Sequence, residues 1–104
     1  MEEKSVGHQG KTPKELRVSD SFQYALRRCR LGKGLTQEEL AERTGVAVSF
    51  VGQMETGKKC PNINMLFRLA AALDVRPAEL IEALEEEALR SNPGLFSKRG
   101  KTRK

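Results

Sequence analysis

Residues 36–57, TQEELAERTGVAVSFVGQMETG, restrict the fold more than any other stretch of the chain. Thr36 followed three positions later by Glu39 is a capping box, in which each side chain satisfies a free backbone amide at a helix start. Leu35 and Leu40 fall at the staple positions on either side of that cap. Leu40, Ala41 and Thr44 recur at the spacing of one helix face, with Ala41 small enough for a close helix crossing. Gly45 stops the helix, since a left-handed residue there costs glycine almost nothing. Val46, Val51 and Met54 then form the apolar face of a second helix, spanning about Val48 to Thr56, and Gly57 stops it in turn. The spacing predicts two short helices crossing at a tight turn, with Ser49, Gly52 and Gln53 facing outward.

Ala41, Gly45 and Val51, with apolar Leu40, Val46 and Met54 among them, resemble the helix-turn-helix of the lambdoid phage repressor and Cro family, the Xre-type regulators. The resemblance runs from about Leu26 to Leu80 and takes in Arg30, Glu55, Gly57, Pro61 and the LAAALDV helix from Leu69 to Val75. It implies an all-α, five-helix, lambda-repressor-like DNA-binding domain with the helix-turn-helix at helices 2 and 3. It also implies an ion pair between Arg30 and Glu55 that ties the recognition helix to the core.

Composition agrees with a small helical domain. A chain of 104 residues with 38% hydrophobic residues has room for one compact core. Its 32% charged and 5% aromatic residues point away from a sandwich or barrel. The net charge of +5 is unevenly spread: +1 over residues 1–17, +2 over 18–75, −3 over 76–90 and +5 over 91–104. An anionic partner is permitted by this charge and not required by it. Cys29 and Cys60, without a CxxC spacing and with one histidine in the chain, make neither a zinc site nor a disulfide framework. The chain has no apolar run of membrane-spanning length and no signal-peptide pattern, so a cytoplasmic protein is expected.

Residues 1–18 mix charges, glycines and a proline without periodicity, and are expected to form a flexible arm in which His8 is solvated. The folded domain is expected over 19–90. Its first helix starts at Ser19 or Asp20, both good caps, and buries Phe22, Ala25, Leu26 and Cys29. Asn62 caps the fourth helix, whose buried side is marked by Ile63, Leu66, Leu69, Ala70 and Leu73; Asp74 stands where a glycine often ends it. Pro77 opens a fifth helix, where Leu80, Ile81 and Leu84 lie among glutamates, and Glu85 to Glu87 read as a solvated face. Ser91-Asn92-Pro93-Gly94 breaks it. Residues 91–104 are expected to be a basic, flexible tail, with Leu95 and Phe96 available to dock back on the domain.

The resemblance places Ala47, Val48, Ser49, Gly52 and Gln53 toward bases in the major groove. Gln53 can bond adenine in a bidentate pair, and Ala47 and Val48 can meet thymine methyls, which implies some A·T preference. Gln37 matches the family's phosphate-gripping glutamine, and Lys58, Lys59 and Asn62 flank the far side of the reading helix as phosphate contacts. Ala47 departs from the serine or threonine found in many relatives, leaving this helix without its usual cap. Catalytic residues, metal ligands and cofactors are not expected.

The function expected on these grounds is sequence-specific binding of double-stranded DNA, as a homodimer on a two-fold symmetric operator, to regulate and most simply repress transcription. Ile81, Leu84, Leu89 and Phe96 are the dimer-interface candidates. The alternative is an antitoxin-like interaction protein that holds a small protein partner and autoregulates its own promoter.

Overall fold

In the structure, a computed structural model, residues 15–94 are described. The expectations for the arm before residue 15, including His8, and for Leu95, Phe96 and the basic tail therefore lie outside the described residues. Five helices follow in order: α1 (Ser19–Gly32), α2 (Gln37–Thr44), α3 (Val48–Glu55), α4 (Ile63–Ala72) and α5 (Pro77–Ser91). There is no strand among the described residues.

Local chemistry sets most of the boundaries. The Thr36 hydroxyl accepts from the Glu39 amide at 3.0 Å, while the Glu39 carboxylate accepts from the Thr36 amide at 2.9 Å. Gly45 turns left-handed at φ 81°, and its amide donates back to the Ala41 carbonyl at 2.8 Å. The Asn62 side chain accepts from the Met65 amide at 2.8 Å and so starts α4. Asp74 takes up the left-handed conformation at φ 58°, which aspartate tolerates better than most residues. Pro77 occupies the first turn of α5, and Glu79 reaches back to the Arg76 amide at 2.8 Å.

α1 starts at Ser19 as expected, but its cap is different. Neither Ser19 nor Asp20 caps it; Val18 is the boundary residue, in a right-handed helical conformation and without a side-chain cap. A single turn upstream supplies the partner instead, with the Asp20 amide donating to the Arg17 carbonyl at 3.0 Å.

The core lies where the helices converge: Phe22 and Leu26 of α1, Leu40 of α2, Val51 and Met54 of α3, Leu69 of α4 and Leu80 of α5 are all at most 2% exposed. Burying each such side chain contributes about 1.5–3 kcal/mol. α5 lies along α1 and touches α4; α2 packs between α3 and α4, and α3 also leans on α1. Two expectations about burial need correction. Ile63 is not on the buried side of α4 but 69% exposed, because in that turn it is Met65 and Leu66 that face the core. Cys29 sits at the core margin, half-buried, and burial raises the pKa of its thiol.

The glutamates of α5 are also not simply solvated. Arg28 of α1 donates to Glu86 at 2.8 Å and to Glu87 at 3.1 Å, and Arg90 reaches Glu87 at 3.0 Å. Glu87 is only 12% exposed, so this cluster fastens the outer edge of the α1–α5 contact.

Candidate nucleic-acid interface

The surface of interest is built on α3. Its inward residues, Val51 and Met54, anchor it in the core, and Phe50 leans half-buried against the same cluster. That leaves Ala47, Val48 and Ser49 exposed at the N-terminal end, and Gly52 and Gln53 half-exposed one turn on. Val48 is 42% exposed, an apolar side chain held out to solvent. This face carries no charge, since the one acid of α3, Glu55, points inward.

Glu55 is 7% exposed and has three donors around it. Arg30 Nε donates to its Oε2 at 2.7 Å and Arg30 Nη2 to its Oε1 at 3.0 Å, while Gln37 Nε2 reaches Oε1 at 3.1 Å. Arg30 also donates through Nη1 to the Leu35 carbonyl at 2.8 Å. The hydrogen bonds to Glu55 hold the Arg30 guanidinium above its ordinary pKa, so it stays charged in spite of its burial. Removing one partner from such a pair costs about 3–5 kcal/mol, because the other charge is left buried and alone. The network joins the end of α1, the start of α2 and the end of α3 into one rigid unit.

Loop geometry completes the surface. Gly57 is left-handed at φ 81°, and a Cβ there would stand 2.6 Å from the Gln23 amide nitrogen of α1. The following amides of Lys58 and Lys59 donate to the Gln53 carbonyl at 2.9 and 3.1 Å, folding the loop back over the end of α3. Lys58, Lys59 and Asn62 are exposed beside it. Two positioning contacts had no signal in the sequence. Arg68 of α4 donates to the Thr44 carbonyl at 2.8 Å, closing the C-terminal end of α2, and Gln23 abuts Gly57. Arg43 is turned to the Ala72 carbonyl at 3.4 Å. Ala47 makes no side-chain cap for α3.

The helix-turn-helix family profile matches residues 26–80, more than half of the chain. The chain belongs to the Xre-type helix-turn-helix family. It is 39% identical over 59 residues to the HTH-type transcriptional regulator y4dJ of Sinorhizobium fredii, covering 57% of this chain and 77% of that one. An HTH-type regulator of Methanothermobacter thermautotrophicus is 40% identical over 62 residues, covering 60% and 90%. Among solved structures, the restriction-modification controller protein C.AhdI of Aeromonas hydrophila is similar at 40% identity and a TM-score of 0.57, over 60% of this chain and 94% of that one. The controller protein C.Esp1396I, solved as a tetramer with its natural 35 base-pair operator, is similar at 25% identity and a TM-score of 0.66, over 72% and 99%. These relatives place the chain among DNA-binding regulators of transcription.

Of the interface candidates on α5, Ile81 is 42% exposed, Leu84 packs half-buried on the core and Leu89 is half-buried. Phe96 lies outside the described residues. No described helix is long and apolar enough to cross a membrane.

Proposed function

We propose that this protein binds duplex DNA sequence-specifically through α3, as a homodimer on a two-fold symmetric operator, and represses transcription by occupying it. The observation that carries the reading is the uncharged outer face of α3, with Ala47, Val48, Ser49, Gly52 and Gln53 accessible on a helix whose buried acid is fully paired. A helix of this size enters the major groove, where small apolar side chains meet thymine methyls and an amide can pair with adenine N6 and N7. Gln53 is that amide.

Phosphates on either side are held by different means. Gln37 has one amide hydrogen committed to Glu55 and a second available, and it sits at the first turn of α2, where free backbone amides favour an anion. Lys58, Lys59 and Asn62 hold the opposite strand from the loop after α3. One helix reads few bases, and a two-fold pair of reading helices about 34 Å apart covers two half-sites one turn apart. The operator complex of C.Esp1396I supports assembly of several copies on DNA. No observation favours the partner-holding alternative.

Selection of bound sequences from a random duplex pool tests the reading. An enriched palindrome with half-sites about 10 base pairs apart is expected. Recovery of unenriched sequence at every salt concentration would sink it.

A further inference from the structure

Ile63 is the most exposed large apolar side chain among the described residues, at 69%, and Leu31 and Phe67 follow at 57% and 56%. Unlike Leu31, Ile63 and Phe67 share a helix face: they stand one turn apart on α4, and exposed Ala71 continues the row one turn further. Single exposed apolar residues are ordinary, whereas a contiguous row marks a surface that something covers. We propose that a second copy of this chain covers it, in an antiparallel, two-fold contact of α4 on α4 centred on Phe67. This rests on the homodimer reading above and assigns its interface.

Three observations favour a second copy over another occupant. The row is self-complementary: with the axis at Phe67, Ile63 of each copy meets Ala71 of the other, a large side chain over a small one, and Phe67 meets its own copy. That reciprocity is what a two-fold interface demands, and rows at every fourth residue are the ridges by which helices interdigitate. Charge agrees as well. α4, INMLFRLAAA, has no carboxylate, and its one cation, Arg68, is turned toward the end of α2. The α5 face behaves differently: Ile81 and Leu84 are accompanied by Glu85 along the same groove and by exposed Glu82, so a symmetric α5 contact would set like charges against each other, which costs affinity. Position completes the argument. α4 starts directly after the Lys58–Asn62 loop, so an α4 interface joins the two copies through the element that follows each reading helix.

One helix face is smaller than the roughly 800 Å² per partner of a standard interface, so the DNA-free dimer should dissociate on dilution. Sedimentation equilibrium over a concentration series, without DNA, tests the assignment on wild type, Phe67→Glu, Phe67→Lys, Ala71→Glu and Ile81→Glu. Wild type and Ile81→Glu should dimerise alike, and the Phe67 and Ala71 variants should dimerise more weakly by upwards of about tenfold. An equimolar mixture of Phe67→Glu and Phe67→Lys should recover a heterodimer, resolved by mass in native mass spectrometry. Far-UV circular dichroism reports folding, and Ala71→Glu, on the solvent side of α4, keeps the test decisive should either Phe67 variant unfold. Undiminished dimers in the α4 variants, a dimer lost only in Ile81→Glu, no heterodimer from the mixture, or a monomeric wild type would each overturn the proposal. The DNA reading stands or falls separately: a chain that dimerises through α4 yet enriches no duplex sequence would lose that reading and keep this interface.

Discussion

Gly52 is the residue at which stability and the proposed recognition pull apart. A Cβ built there meets only the Gln37 side-chain oxygen, at 4.0 Å, so the protein itself has no steric need for glycine inside this helix. Gly52→Ala should therefore raise stability by about 0.5–1 kcal/mol, as glycine-to-alanine changes do within helices. If α3 approaches the bases closely, the same methyl should weaken operator binding; urea denaturation and fluorescence anisotropy on one preparation check both. Gln53 tests readout more directly. Gln53→Ala should cost about 1–3 kcal/mol on the selected operator and relax preference at one position per half-site. Uniform weakening across sequences would make it a backbone contact instead. Cys29 gives a pH test. Burial raises its folded-state pKa, so the unfolded chain ionises first: its contribution is flat below the ordinary thiol range, about 8.5, and stability falls as pH rises above it. Denaturation midpoints measured across that range should show the fall, and Cys29→Ala should flatten it. Cys60 is exposed, and the slight burial of its thiol shifts it in the same direction, so Cys60→Ala should change the fall less than Cys29→Ala.

At the scale of elements, the helix starts are unequal. α2 has a full capping box and α4 an asparagine cap, but α3 begins at Ala47 with no side-chain partner for its free amides. The backbone there is already extended, at φ −68° and ψ 146°, which is the conformation a capping serine uses. Ala47→Ser should add about 0.5–2 kcal/mol to stability, measured by chemical denaturation. A loss of stability would mean that the new hydroxyl does not reach the amides of α3. That α3 holds its place without a cap reflects its other attachments: Val51 and Met54 in the core, and Glu55 in the grip of Arg30 and Gln37. Tertiary packing, more than the helix's own propensity, keeps so short a segment helical.

For the whole molecule the open quantity is how its charge meets DNA. Lys58 and Lys59 are placed by the fold, since their amides are bonded to the Gln53 carbonyl at the end of α3. Each phosphate neutralised contributes about 0.9 to the slope of log affinity against log salt. Replacing both lysines with alanine should lower that slope by up to about 1.8, and should weaken random and operator duplexes alike. An unchanged slope would show that these lysines do not reach the phosphates. The Arg28–Glu86–Glu87 cluster matters here too, because it takes up part of the negative charge of α5 on the α1 side.

Much of the fold was legible because its signals are short-range. The Thr36–Glu39 box, the left-handed stops at Gly45 and Gly57, the Asn62 cap and Pro77 each act within a few residues, and residue type and spacing alone determine them. Ser49, Gly52 and Gln53 on α3 were legible for the same reason: once Val51 and Met54 face the core, helical geometry leaves them with access to solvent, whereas Ala47 and Val48, exposed beside them, were placed on that face by the family resemblance. Which apolar residues were covered, and which polar groups met, needed the tertiary structure. Ile63 is as apolar as Leu66 three residues on, yet the other helices cover Leu66 and leave Ile63 69% exposed. Gln37 finds Glu55 across 18 residues of chain, and Arg28 finds Glu86 and Glu87 across nearly 60, through helix placements that no local pattern encodes. Periodicity specifies the face of a helix that must be buried; only the packing of the other helices decides how much of it is, and which charges are brought within reach of each other.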